Sequence, residues 1–441
     1  MGVFWWYFAL FFVAQQSGSL INFYTGMFII PHLISQDELG AILPLMQVAS
    51  FFAMPLALFQ TPVSKYLNTF MARDEHDKAK ALLVDAGVIS CIGGVVMVLC
   101  TLVMAPFVLT RIRIHETGVI LFVCGSVFIN GIRPILTSSI QALKKFNNIF
   151  FSGVIVAPTR LLLMGLALAG SFGIVGFLAA NFLLELLWAG IAIWGIASLL
   201  RSKIPVVSYR EHWREMFAFS LPLVALGLSY ALSGFVEPLV IRHKLPNIES
   251  AAYYYLTRFG DIASCVGGIT GVLLFPLISE RFEKGQATQR LFLQAYLANI
   301  ILGGLLVVAF WLGGGWLLHL CKDWSAYSEY AGLIWQLALI QVLDVALGTF
   351  IAYETACRRF RYVWVVVGLF LLKSIFLYSI TGWEFFRPYL PVTWWEAGHR
   401  IPACRLGFVV GTSLVVYVLL ALAMVFQLLL RRMQGRKNPI A

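Results

Sequence analysis

The sequence predicts an all-α polytopic membrane protein with about twelve transmembrane helices, and three observations carry that prediction. Hydrophobic residues make up 60% of the 441-residue chain and charged residues only 12%, about half the share of roughly 25% in an average soluble chain. Mean hydropathy is +0.85, and apolar runs recur from one end to the other. About 18 consecutive apolar residues are enough to cross the ~30 Å hydrocarbon core as a helix. Lipid offers no partner to free backbone N–H and C=O groups, so spanning segments are helices or closed barrels. Barrel strands would read as alternating segments of about ten residues. The runs here are longer and do not alternate.

In order, the first span covers 5–32 and closes on Pro31, with Gln15, Ser19 and Asn22 at helical spacing. Its lead-in, Met1–Phe12, lacks a basic n-region and a cleavage site, so it reads as part of the span rather than a removable signal. The second covers 41–63, contains Pro44 and Pro55, and ends Gln60–Thr61–Pro62–Val63–Ser64. The third covers 82–109. The fourth, 117–139, carries Ser126, Asn130, Arg133 and Thr137 at i, i+4, i+7 spacing. The fifth, 150–170, holds Pro158 and Arg160; the sixth, 173–199, holds Asn181 and Glu185. The seventh, 217–241, contains Pro222 and the stripe Ser229, Ser233, Glu237. The eighth, 252–278, contains Arg258 and Asp261. The ninth is 291–318, the tenth 329–355 with Asp344, the eleventh 362–382 with Lys373, and the twelfth 406–430. The segment 383–405, rich in tryptophan, phenylalanine and proline, is too broken to cross and suits an interfacial loop.

Loops after the even-numbered spans hold 21 Lys and Arg residues, counting Arg133 near the cytoplasmic end of the fourth span with the loop that follows it, and those after the odd-numbered spans 8; Arg160, Arg258 and Lys373, inside spans, complete the 32. The positive-inside rule therefore places the even loops and both termini in the cytoplasm. The longest cytoplasmic linker, 201–216, separates two lobes of six helices, 1–200 and 217–441. The halves resemble each other: His32 and Glu38 match His243 and Glu249 at one offset of 211, and each pair is followed by a span that enters a charged loop. Two six-helix repeats related by an axis along the membrane normal suit alternating access around a site at their interface.

Several classes are excluded. The formal charge of +11 sits in short loops, with no basic patch and interleaved aromatics in a soluble segment, so no nucleic acid is expected. The seven cysteines lie mostly inside apolar runs (Cys91, Cys100, Cys124, Cys265), with no spacing for a metal or a disulfide framework. No Walker A pattern, cofactor motif or nucleophile–base arrangement occurs, so no cofactor, metal or catalytic residue is expected.

The acidic turn Asp37–Glu38–Leu39–Gly40 after the first span and the basic loop after the second are joined by three further motifs. These are Trp213–Arg214–Glu215–Met216 with Phe219–Ser220–Leu221–Pro222 at the seventh span, the cluster Tyr253–Tyr254–Tyr255, and Phe275–Pro276–Leu277–Ile278–Ser279–Glu280. With them the chain resembles the multidrug/oligosaccharidyl-lipid/polysaccharide exporter superfamily, in its polysaccharide (O-antigen, Wzx-type) flippase branch. The resemblance implies two six-helix lobes forming a V-shaped transporter around a central cavity, in the bacterial cytoplasmic membrane. It implies that a polyprenyl-diphosphate-linked glycan is flipped to the outer leaflet, with coupling to an ion gradient. It further implies a monomer, in contact with membrane lipid, that works beside a glycan polymerase or glycosyltransferases. The peptidoglycan-precursor branch carries arginines in its first two spans; neither span here has Lys or Arg.

Ionisable groups inside a span are expensive and so rarely face lipid. Candidate substrate contacts are Arg133, Arg160, Arg258 and Lys373, with Gln15, Asn22 and Asn130 on the polar stripes; a guanidinium meets two phosphate oxygens at once. Arg133 could equally snorkel to the cytoplasmic interface, and Arg258 could pair with Asp261 one turn on. Candidate ion-coupling acids are Glu185, Glu237, Asp261 and Asp344. Four acids against four cations keep a multidrug/cation antiporter of the same superfamily open. The remaining alternative is a membrane-embedded enzyme of polyprenyl-linked glycan assembly, using Glu384, Arg387, Glu396 and Arg400.

Overall fold

A computed structural model describes residues 18–57, 59–114, 116, 118–143, 146–201, 213–283, 285–319, 324–380 and 402–437. Among these residues helix is the sole regular structure. Helix α1 covers 18–33 and contains a π-helical turn, Thr25–Ile29. The others are α2 (Gln36–Ala57), α3 (Gln60–Ala72), α4 (His76–Ile112), α5 (Gly118–Ala142), α6 (Phe146–Ala169), α7 (Gly173–Leu200) and α8 (Trp213–Lys244), followed by α9 (Asn247–Glu283), α10 (Gln289–Leu318), α11 (Ile334–Ala356), α12 (Arg361–Ile380) and α13 (Pro402–Lys437). The described residues of the twelve predicted spans fall on these helices, the second span on both α2 and α3, and nine helices among the described residues are long and apolar enough to cross a membrane. The chain is an all-α, multi-pass membrane protein.

Boundaries differ from the sequence reading where local chemistry intervenes. The second span falls on two helices, α2 and α3, with Pro62 in the first turn of α3, where its missing N–H leaves no intrahelical bond unmade. Asp37–Glu38–Leu39–Gly40 is not a turn but the start of α2. Ser35 caps it: its Oγ accepts from the Glu38 N–H at 3.3 Å, while the Glu38 carboxylate accepts from the Ser35 N–H at 3.2 Å and from its Oγ–H at 2.8 Å. This reciprocal capping box satisfies two otherwise orphaned donors. The tenth span opens with a 3-10 stretch, Ser328–Leu333, before α11. Residues 383–401 of the predicted interfacial loop, with Glu384, Arg387, Glu396 and Arg400, lie outside the described residues. Pro402 already belongs to α13, at the first helical position where its missing N–H is not needed.

The chain divides into two compact units, Met1–His243 and Lys244–Ala441. In the first, α5 is the centre and packs against α2, α3, α4 and α7, while α6 lies on α7. In the second, α11 is the centre and packs against α9, α10 and α13, while α12 lies on α13. The fourth helix of each six is therefore the hub, and the second, third and sixth surround it. The internal repeat predicted from the sequence recurs in the packing. Helix α8 clusters with the first unit, where Phe235 stacks on Phe51 at 5.2 Å and Glu215 accepts from the Tyr66 hydroxyl at 3.1 Å. Near its other end the Arg242 Nε–H donates to the Ile112 carbonyl at 2.8 Å, closing the C-terminus of α4.

The outward faces are apolar. Along α10, Leu297, Ile301, Leu305, Trp311, Leu312 and Trp316 are exposed; such a stripe on a helix of this length faces lipid. The inward face of α10 instead uses glycine. A Cβ on Gly303 would meet both Cγ atoms of Val342 at 2.7 Å, whereas one on Gly304 would meet nothing within 4 Å. Small residues let membrane helices approach closely. Gly303→Ala is expected to lower stability by about 1–3 kcal/mol through overpacking, seen as a lower melting temperature of the purified protein, and Gly304→Ala to leave it unchanged. Equal melting temperatures for the two variants would refute the close-packing argument.

Candidate functional site

The first unit concentrates its membrane-embedded polar side chains where α1, α5, α6 and α7 supply them. Asn181 and Glu185 stand one turn apart on α7, hence on one face. On α5, Ser126, Asn130 and Arg133 share a face for the same reason. The Arg160 guanidinium of α6 donates from Nη1 to Asn22 Oδ1 at 2.6 Å and from Nη2 to Asn181 Oδ1 at 2.8 Å. Asn181 is itself oriented by donating from Nδ2 to the Phe177 carbonyl at 3.0 Å. One turn along α7, Glu185 Oε1 accepts from Asn130 Nδ2 at 3.1 Å, and Ser126 faces the same carboxylate. The second oxygen, Oε2, is buried without a hydrogen-bond partner. Arg133 lies over the Trp188 ring at 4.8 Å, a cation–π contact between α5 and α7.

The arrangement has a definite electrostatic character. Arg160 is held by two neutral amide oxygens, which fix its direction and leave its charge intact. Arg133 and Arg160 both lie in electrostatic range of Glu185. Two cations and one acid share the cluster, so its charge steps up by one whenever Glu185 takes a proton. A group of this kind can load a cation on Glu185 and meet an anionic moiety with the guanidiniums.

The remaining candidates lie elsewhere. Arg258 pairs with Asp261 at 3.0 Å and lies over Tyr254 at 4.9 Å; the i, i+3 ion pair anticipated from spacing is present. Lys373 on α12 is 3% exposed, with Nζ 5.7 Å from the Tyr417 ring of α13. Asp344 is on α11, and Glu237, on α8, is 7% exposed. Gln15 lies outside the described residues. Arg160, expected to lack a partner on its own helix, finds its partners on two others. Sequence reasoning missed Trp188 as a partner of Arg133. It also missed a buried pair, Asn299 Nδ2 donating to Thr349 Oγ1 at 2.9 Å between α10 and α11. A lone asparagine in the apolar run of α10 was the available signal.

Elsewhere in the first unit lies an apolar concavity open to its surroundings, lined by Phe59, Val63, Leu82, Ile89, Trp213 and Phe217, among others. It has none of the polar network's charged groups.

The all-helical architecture matches the fold of solved MATE transporters of the MOP superfamily. Among solved structures, the chain is similar to an inward-facing multidrug resistance MATE family transporter of that superfamily (TM-score 0.69, 14% identity, covering 98% of this chain and 100% of the other). It is similar to a mutant of the Vibrio cholerae MATE transporter VcmN (TM-score 0.66, 17% identity, 97% of each chain). It is also similar to a Pyrococcus furiosus MOP superfamily transporter, described as having a binding pocket of reverse polarity that suggests a different function (TM-score 0.61, 13% identity, 96% of this chain and 95% of the other). No family model and no curated protein matches the sequence. At these identities the likeness is one of fold.

Proposed function

We propose that this chain is a secondary transporter of the MATE type, a multidrug/cation antiporter that exports an organic solute in exchange for an inward-moving cation. The observation that carries the reading is Glu185: a carboxylate embedded in the membrane, one oxygen held by Asn130 and the other buried without a hydrogen-bond partner. Such a group is a functional site by default in a bilayer, because its burial is expensive unless it binds something. Glu237, Asp261 and Asp344 are further candidate cation ligands in this scheme. The multidrug resistance transporter of the same fold supports the choice of cargo class. Alternating access of two six-helix lobes, with 201–216 as their linker, is the mechanism that such a repeat suits.

A second reading, flipping of a polyprenyl-diphosphate-linked glycan, is favoured by one specific observation: Arg133 and Arg160 outnumber the single acid of the cluster, and a forked guanidinium suits a diphosphate. Proteoliposomes decide between the two. With an imposed proton or sodium gradient, the wild type should expel a lipophilic cationic dye, and Glu185→Gln should not. Absence of dye movement under either gradient, together with transfer of a polyprenyl-diphosphate sugar between leaflets, would overturn the antiporter reading in favour of the flippase.

A further inference from the structure

The two repeats treat one matched acid in opposite ways. Glu38 and Glu249 occupy the same place at an offset of 211, each the third residue of the second helix of its repeat. At that offset Ser35, the cap of α2, corresponds to Pro246, the residue before α9. Serine supplies both donors that hold the Glu38 carboxylate, a hydroxyl and an N–H. Proline has neither. The backbone at the α9 entrance is otherwise ordinary, with the Glu249 and Ser250 N–H groups donating to the Pro246 carbonyl at 3.1 and 3.2 Å. Glu249 has therefore lost its capping partner while keeping its helix start.

Its surroundings have changed as well. Glu38 stands beside solvent, but Glu249 is 1% exposed and its Oε2 is buried with no hydrogen-bond partner. The residue lies ahead of the span at 252–278, on the side that the loop charges assign to the outside. Arg405 of α13 and Tyr330 of the 3-10 stretch lie within electrostatic range, with Glu329 next to Tyr330; Tyr330 is itself 2% exposed. Arg405 favours the ionised carboxylate, whereas burial and the missing donors favour the neutral acid.

We propose that Glu249 is a proton-binding site at the outer end of the C-terminal unit, created by the exchange of a capping serine for Pro246. The site would let the transporter take up a proton from the outside in addition to any cation bound at the membrane-embedded acids. This deepens the antiporter reading by naming the proton as a coupling ion, but it stands on proton binding alone and can be measured without cargo. Burial pushes the Glu249 carboxyl from 4.5 up to about 7, Arg405 opposing the rise. The folded protein then holds a proton that the unfolded chain releases between pH 4.5 and about 7. Stability therefore falls as pH rises through that window and is level above it.

Infrared difference spectra of the purified protein, titrated from pH 5 to 9, test the assignment. A protonated-carboxyl band should disappear with a midpoint near neutrality in the wild type and in Glu185→Gln, and should be missing in Glu249→Gln. Pro246→Ser restores the donors found at Ser35 and should lower the midpoint by a unit or more, a tenfold or greater loss of proton affinity. A band unaltered in Glu249→Gln, or a midpoint unmoved in Pro246→Ser, would overturn the proposal. Loss of dye export with this band intact would instead count against the antiporter reading.

Discussion

Arg160→Ala is expected to destabilise the first unit by about 1–3 kcal/mol, because it leaves two embedded amide oxygens, those of Asn22 and Asn181, without their donor. Removing a charge from the membrane offsets part of that loss, so the apolar Arg160→Met is expected to behave no worse than alanine. Lysine is the informative substitution. It keeps the charge but presents a point donor instead of a planar fork, and cannot span oxygens on α1 and α7 in the same way. Arg160→Lys should therefore retain much of the defect. A double-mutant cycle with Asn22→Ala separates the contact from general damage: a coupling of roughly 0.5–3 kcal/mol is expected for directly bonded residues. Strict additivity of the two melting-point losses would show that the Arg160–Asn22 bond contributes nothing.

Glu185→Gln should have the larger effect on transport and the smaller one on stability. Glutamine keeps an oxygen for Asn130 and removes a charge from the bilayer, so the fold should hold or gain slightly. What it cannot do is exchange a proton or balance a cation. Gradient-driven export should fall at least tenfold, while gradient-independent binding of cargo persists. Asn130→Ala makes the matching test from the other side: it removes the Asn130 donor from Glu185 Oε1 and should weaken coupling without abolishing it. Wild-type export by Glu185→Gln would remove the acid from the mechanism.

Particular residues show how far the sequence could be read. The polar stripes of α5 and α7 were legible, because helical spacing alone puts Asn130 with Arg133 and Asn181 with Glu185 on shared faces. That these faces meet was not, since spacing says nothing of which helix lies opposite. Asn22 and Arg160 are 138 residues apart and meet only through packing. The Arg258–Asp261 pair was legible for the opposite reason, both partners lying on one turn of one helix. The matched acids Glu38 and Glu249 were visible as a repeat, and Ser35 against Pro246 marked the difference in capping, but nothing along the chain showed that Glu249 is buried.

The sequence by itself determined that the chain is all-helical, that it enters the membrane along twelve segments, and that these fall into two similar sixes. Those are consequences of local properties, apolar length and charge bias, which act residue by residue along the chain. Only the tertiary structure decided that α5 and α11 are the hubs, that α8 clusters with the first unit, and that Arg160 joins α1 to α7. The physical reason is that lipid and helix interior are equally apolar. No hydrophobic difference marks the inward face of a membrane helix, so its partners are chosen by glycine-sized gaps and polar contacts that form only once the helices have packed.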